Sequence, residues 1–584
     1  MLLPRLGAAL TFIGAALLFG IYVALPSIPR WTILYVAAAS IGAWWAIHAS
    51  RVGIRINRVG LAALIFMAWQ ATSLLWSPDP FQGLEQLLHF AVMAAIAVFV
   101  SAVPRQEVEK LLPHCAAAAL LGAMIFNWKW PQLHGGFGNP NFLAEFVIIA
   151  IPLAVWDLFR PDEHPIPFRY DLLRVAALVW GLWHLIDTES NLKFVAVAVW
   201  LALWAYHLRR AWFVSLVLVL VPINLALLMG WVSFKPCGAM GADVMCSLQA
   251  RLEVWANTAV MWWHFPVLGT GFGGFNYWYP LFQEAHRPLL GDWTVMMPVA
   301  QFAGAAHNEI LQTLAELGLV GLALAIACLL IVFKGAKTEG LNHPAIWTLV
   351  LAAVLSMGGF PLHTPSTGIF AASALGVLGN GRAAVLTLGL PRLRLLAAPV
   401  ALAWGLVLAV AAPLSYKAEM LFSVTQAKIS SDPLMAFWTN AEAARLWPLH
   451  SHYRHQLLLT LRAVTDFMGD KAIIEREAAD RAYQISRSAS PYNPGIVAAW
   501  VGYLLNSGRQ NEPGTEELLT TLKAMSDLQA VTWMVEAVYA ISTNDEPRAR
   551  FAVGKAYERV MRRERQYLPE VERLVARLNQ GVSR

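Results

Sequence analysis

Residues 308–333 read NEILQTLAELGLVGLALAIACLLIVF. Past Glu316 the run carries no charge until Lys334, and about 20 apolar residues in a helix span the roughly 30 Å hydrocarbon core of a bilayer. This stretch is therefore predicted to be a transmembrane helix. It enters the membrane with two carboxylates, Glu309 and Glu316, seven residues apart and roughly on one face. Carboxylates are costly at that depth and point to a functional or a packed polar site.

Similar apolar runs lie near 6–25, 31–49, 59–76, 83–103, 111–128, 141–159, 172–187, 194–208, 211–231, 345–362, 366–380 and 396–413. The first is too long, and too soon followed by another, to read as a cleaved signal peptide. Charge follows the same division. Residues 1–412 hold 40 charged side chains, about one in ten, whereas 413–584 hold 40 in 172 positions. The expected fold is an all-α polytopic membrane protein of about 12–13 transmembrane helices, with a large outer loop near 232–306. The expected domains are a membrane domain over 1–413 and a soluble α-helical domain over 414–584. A soluble enzyme, a disordered protein and a disulfide scaffold are excluded. The net charge of +6 is scattered between apolar runs and does not form a nucleic-acid patch.

Lys and Arg in short loops set orientation. One alternating set of connections carries 16 of them, including Arg51, Arg55, Arg58, Arg105, Lys110, Arg382, Arg392 and Arg394; the other carries 6. The N-terminus is predicted on the cation-rich, cytoplasmic side, and an odd number of spans then puts 414–584 outside. In a bacterial envelope that means a multi-pass inner-membrane protein with an extracytoplasmic tail. Cys237 and Cys246 fall in the outer loop, where an oxidising compartment predicts a disulfide; the segment lacks further zinc-type ligands.

Three outer segments carry chemistry. Gly135-Gly136-Phe137-Gly138-Asn139-Pro140-Asn141 precedes a span; its glycines allow close approach of backbone to a ligand, and its asparagines equally suit a helix cap. Arg251 and Trp255 are four apart, on one helix face, ahead of His264-Phe265-Pro266-Val267-Leu268-Gly269-Thr270-Gly271. Arg251 suits a headgroup anchor or a bidentate phosphate grip. His307-Asn308-Glu309 stands where the long loop re-enters the membrane; His307 reads as a proton acceptor for a hydroxyl or as an interfacial hydrogen-bonding histidine.

Together these segments resemble the O-antigen ligase and polymerase superfamily of polytopic glycosyltransferases. The likeness runs over about residues 60–370. It rests on Gly138-Asn139-Pro140-Asn141, on Arg251…Trp255 with the following glycine loop and Phe275, on His307-Asn308…Gln312…Glu316-Leu317-Gly318…Gly321, and on the Trp76-Ser77-Pro78-Asp79-Pro80 turn. The resemblance implies a glycan donor on an undecaprenyl-type diphosphate, and an acceptor hydroxyl on lipid A core, a growing glycan or a protein. It implies His307 as general base and Arg251 as the diphosphate-binding cation, with Asn139, Asn141, Trp255, Asn308 and Glu309 lining the substrates. It also implies inversion at the anomeric carbon and no metal or other cofactor. The family's Ser-Arg-Gly-like motif is replaced by Asp187-Thr188-Glu189-Ser190-Asn191-Leu192-Lys193. Asn191 stands where the second arginine is expected, and Lys193 is the nearby cation, able to act as a point charge but not as a planar fork.

In the tail, Ala441–Pro448 followed by Tyr453–Leu457, and Ser488–Pro494 followed by Trp500–Gly508, read as helix, proline turn, helix. This pattern looks like tetratricopeptide-type hairpins offering a concave face to an acceptor or a protein partner. A generic helical bundle fits as well, since Pro448 and Pro494 are 46 apart, not 34. Ligation to a separate acceptor is favoured over polymerisation. A non-enzymatic flippase of lipid-linked sugars is the reading from another class. It predicts polar residues along a path through many spans, whereas here they collect on one side.

Overall fold

The computed structural model describes residues 31–32, 34–41, 54–129, 140–154, 168–187, 244–283, 304–336, 343–380, 386–388, 391–468, 474, 476–526, 530–562 and 567–581. The expected spans at 6–25, 194–208 and 211–231 lie outside these residues. So do Asn139, Lys193 and Cys237; Cys246 falls on a described helix, but its side chain is outside the description.

Among the described residues the regular structure is helical apart from one two-stranded ladder, β1 (Ile54–Ile56) against β2 (Leu386–Leu388), antiparallel, with Arg55 opposite Thr387. The bundle helices are α1 (Arg58–Ser73), α2 (Pro80–Ala102), α3 (Arg105–Lys129), α4 (Pro140–Ala154) and α5 (Phe168–Asp187). Two loop helices follow, α6 (Val244–His264) and α7 (Phe275–Phe282); then come α8 (Glu309–Ala336), α9 (Pro344–Leu355), α10 (Pro365–Gly379) and α11 (Pro391–Lys428). Several starts share one device. A polar residue at the cap is followed by proline, as in Asn493-Pro494, Asp79-Pro80, Asp432-Pro433 and His343-Pro344. The cap side chain accepts an early backbone N–H, and proline gives up an amide that has no helical partner there.

Segments Pro80–Ala102, Arg105–Ile125, Glu309–Lys334 and Ala398–Lys428 are long and apolar enough to cross a membrane, in keeping with an all-α polytopic membrane protein. The expected span at 345–362 is shorter than read. Helix α9 stops at Leu355, and residues 356–363 turn back on themselves. Gly358, Gly359 and Pro361 break the helix there, and the freed carbonyls of Ser356 and Met357 accept from the Glu309 N–H (2.8 Å) and Asn308 Nδ2 (3.1 Å).

The two ends of the bundle are distinct. At one end the β ladder joins the connections around 54–57 and 386–388; there Asn57 Nδ2 donates to Gly379 O at 2.8 Å and Asn380 Nδ2 to Val103 O at 2.6 Å. Helices α1 and α2 run from this end to the other and back. The opposite end therefore gathers the 74–79 turn, the loop after α6, the start of α8 and the 356–363 turn.

The tail continues as α12 (Pro433–Leu446), α13 (Ser451–Met468), α14 (Arg476–Ala489), α15 (Pro494–Asn506), α16 (Thr515–Ser526), α17 (Ala530–Ser542), α18 (Glu546–Arg562) and α19 (Leu568–Gly581). The expected proline turns separate α12 from α13 and α14 from α15. No break falls at 413/414, because α11 runs on through Pro413 to Lys428. Ala418, Phe422, Ala443, Ala444, Trp447 and Tyr453 join the same buried apolar cluster as Phe146, Ile149 and Leu355 of the bundle.

Candidate functional site at one end of the bundle

Helix α8 is interrupted at Gly318, whose φ of 67° and ψ of −167° leave the helical region. A broken ladder frees amides and carbonyls that lipid cannot satisfy. The loop after α6 takes them up. Thr270 and Gly271 donate to the carbonyls of Ala315 and Glu316, both at 2.9 Å, while Leu319 N–H donates to Pro266 O at 2.9 Å. A Cβ on Gly318 would overlap Val267 O, so glycine is required by both space and φ. Glu316, 2% exposed, completes the joint. Its two oxygens accept from Gly273 N–H, Phe275 N–H and Gln312 Nε2, at 3.2, 3.3 and 2.9 Å. Of the two carboxylates that enter this helix, Glu316 is thus the packed one and is occupied in holding the glycine loop.

The same joint fixes the residues ahead of α8. Gln312 Oε1 accepts the Ala306 N–H at 2.7 Å, and Asn308 Oδ1 caps the helix by accepting from Ile310 and Leu311 N–H at 3.0 and 3.1 Å. Asn308, expected at the substrate, works here as cap and latch. Between these anchors His307 takes a φ of 49°, a conformation that non-glycine residues seldom adopt and that often marks functional sites. Its ring packs on Phe360 at 5.0 Å.

Arg251 projects from α6 toward the same place. The Cβ position of Gly358 lies 3.6 Å from its Nη1. Among the described residues its guanidinium makes neither a hydrogen bond nor an ion pair. Burial pulls its pKa below the ordinary arginine value, opposed by the nearby Glu145 carboxylate; an arginine still stays cationic at neutral pH. Burial first, and then the Arg251 charge, push His307 down to about 4. His307 is therefore a neutral imidazole at physiological pH, free to accept a proton. Trp255, one turn on from Arg251, keeps a buried indole N–H with no acceptor among the described residues. Asn141 is the second residue of α4.

Glu309 pairs with His363, whose Nδ1 lies 3.0 Å from Oε1. Burial lowers the His363 pKa, but Glu309 and then Glu316 outweigh it and hold the group above its usual value. His363, Phe360, the Gly358–Gly359 pair and Glu145 were not reached from sequence. The signals for two of them were present: Glu145 is a carboxylate inside an apolar run, and His363 sits between two such runs. Among the described residues no group of three or more His, Cys, Asp or Glu is placed to hold a metal.

This end of the bundle thus brings together a largely buried guanidinium, unpaired among the described residues, and a neutral histidine, on a scaffold braced by a helix break and a glycine loop. No curated protein matches the chain. Residues 176–326, which carry both Arg251 and His307, match the family model described as O-Antigen ligase.

Proposed function

We propose that the chain transfers a glycan from an undecaprenyl-diphosphate-type lipid to an acceptor hydroxyl at the extracytoplasmic face of a bacterial inner membrane. The observation that carries this reading is Arg251, largely buried and without a carboxylate ion pair among the described residues, its charge reaching a neutral His307. The family match supports ligase- or polymerase-type glycan transfer. In the reaction the acceptor oxygen attacks the anomeric carbon from the face opposite the diphosphate. The new C–O bond forms as the anomeric carbon–phosphate oxygen bond breaks, inverting the configuration. His307 takes the hydroxyl proton, and the bond's electron pair leaves on the lipid diphosphate. Arg251 steadies that growing negative charge, and a preorganised cation there lowers the barrier. No metal or other cofactor enters the scheme, and Lys193 supplies a second positive charge to the donor.

Candidate acceptors are lipid A core, a glycan and a protein. The tail packs against the same end of the bundle as Arg251 and His307, which favours recognition of a separate acceptor by 414–584 over simple polymerisation. The test is a reconstituted reaction with a defined lipid-diphosphate glycan and each acceptor, read by product mass. Wild type is expected to form one glycosidic product with inverted configuration, and His307→Ala to lose about 10²- to 10⁴-fold in rate. Arg251→Lys keeps the charge but not the fork, and is expected to lose on the order of a hundredfold. Undiminished transfer by His307→Ala removes it as the base. Absence of transfer to every acceptor, with lipid-linked sugar moved across vesicles instead, favours the flippase reading.

A further inference from the structure

Glu145 stands on α4, five residues in from Pro140, and is 2% exposed. Its Oε2 is buried with no hydrogen-bond donor among the described residues. It makes no ion pair with Arg251, although its field reaches that guanidinium. The 356–363 turn explains the separation. The Cβ position of Gly358 lies 3.6 Å from Arg251 Nη1, while a Cβ on the very next residue, Gly359, would overlap Glu145 Oε1. Consecutive Cα atoms are about 3.8 Å apart, so the two charges face each other across a single glycine pair.

A buried guanidinium with no counter-charge is strongly destabilising, and one in a direct ion pair has its N–H groups occupied. A carboxylate held off by a backbone spacer avoids both. It offsets the cation through space and leaves the fork open. We propose that Glu145 is the counter-charge of Arg251, a positioning residue that limits how tightly the arginine holds a diphosphate and so permits release of the spent lipid carrier. This inference rests on the reading of Arg251 as the diphosphate grip. Among the described residues, another carboxylate whose charge reaches Glu145 is Glu309, which is already engaged by His363.

The experiment measures binding of inorganic pyrophosphate to the purified full-length protein at fixed ionic strength, beside donor kinetics. Glu145→Gln keeps shape and removes charge. It is expected to bind pyrophosphate about tenfold tighter, the size of a through-space interaction of this kind. Its donor KM should fall together with kcat, and inhibition by the lipid diphosphate product should rise. Glu145→Asp, which keeps the charge, should return all four toward wild type, a rescue that loss of packing alone would not give. Pyrophosphate affinity in Glu145→Gln equal to or weaker than wild type, or no binding by either, overturns the proposal. The two readings separate cleanly. Tighter pyrophosphate binding without glycan transfer by wild type refutes the transferase and keeps the counter-charge. Transfer by wild type with unaltered affinity in the variant does the reverse.

Discussion

Arg454 of the tail grips Asp79 of the bundle through both carboxylate oxygens, at 2.9 and 2.7 Å, with side chains 7% and 1% exposed. The contact continues along one face of α2. Gln82 Oε1 accepts the Ser451 N–H at 3.0 Å, and Glu85 accepts from Trp447 Nε1 and contacts His450 Nδ1, both at 2.8 Å. On another face of the same turn, a Cβ on Gly83 would overlap Phe272 O, and Ser77 Oγ donates to that carbonyl at 2.9 Å. The first turns of α2 thus hold the tail and the glycine loop at once. Asp79→Asn keeps the helix cap but removes the charge, leaving Arg454 buried and unpaired. Breaking such a pair costs about 3–5 kcal/mol, and the thermal midpoint of the purified protein is expected to drop. Asp79→Asn with Arg454→Met should recover much of the loss; a double variant no better than the single would show that charge is not what matters.

Because α11 crosses 413 unbroken, the useful boundary for truncation lies further on. Residues 418–453 contribute Phe422, Trp447 and Tyr453 to the bundle's own core, and a second cluster spans Phe437 to Leu504. Deletion of 414–584 is expected to abolish accumulation of folded protein. Deletion of 508–584 keeps both clusters, so folded protein should persist in the membrane with altered acceptor choice or product length and little change in donor KM. Detergent-resistant yield and product mass check both arms, and normal folding after removal of 414–584 would contradict the shared core.

The bundle was legible because lipid imposes a strong rule: apolar runs of the right length become helices. Where runs were short or interrupted, the rule gave less. The 345–362 run looks continuous by hydropathy, yet Ser356 and Met357 end as acceptors for Glu309 and Asn308, contacts across 47 and 49 positions that no local pattern encodes. Arg251 and His307 stood out because charge and titratable groups are sparse in this half of the chain. Glu145 did not, since one carboxylate in a span reads alike whether it faces a cation or merely a backbone turn. Among the carboxylates of α8, sequence left functional and packed roles open for both; the loop's amide groups decide it for Glu316.

The helix break at Gly318 makes a sharp demand on sequence. Alanine there faces a φ of 67° as well as overlap with Val267 O, and unfavourable φ alone costs about 1–3 kcal/mol. Gly318→Ala is expected to loosen the joint between α8 and the loop after α6. Transfer should fall by at least tenfold even where the protein still inserts, and protease sensitivity around 265–275 should rise. By contrast Gly181→Ala, inside the regular helix α5, comes no closer than 3.3 Å to its nearest neighbour, Val147 Cγ1, and is expected to be much milder. Equal effects of the two substitutions would argue against a special role for the break.

The pH profile tests the pairing of His307 with Arg251 directly. A general base must be deprotonated, and burial with the Arg251 charge holds His307 at about 4 in the free protein. Reading kcat/KM, which reports the free enzyme, the acid limb due to His307 should fall near pH 4, with no loss between pH 7.5 and 5.5. Donor binding brings negative charge to Arg251 and offsets the cation's effect on the imidazole. The pKa then rises in the complex, so kcat should decline at a higher pH than kcat/KM does. In Arg251→Gln the residual kcat/KM is small, and its limb should move up toward the ordinary histidine value near 6.5. Coincident limbs for kcat and kcat/KM in wild type, unmoved by Arg251→Gln, would mean that the two side chains do not share a substrate.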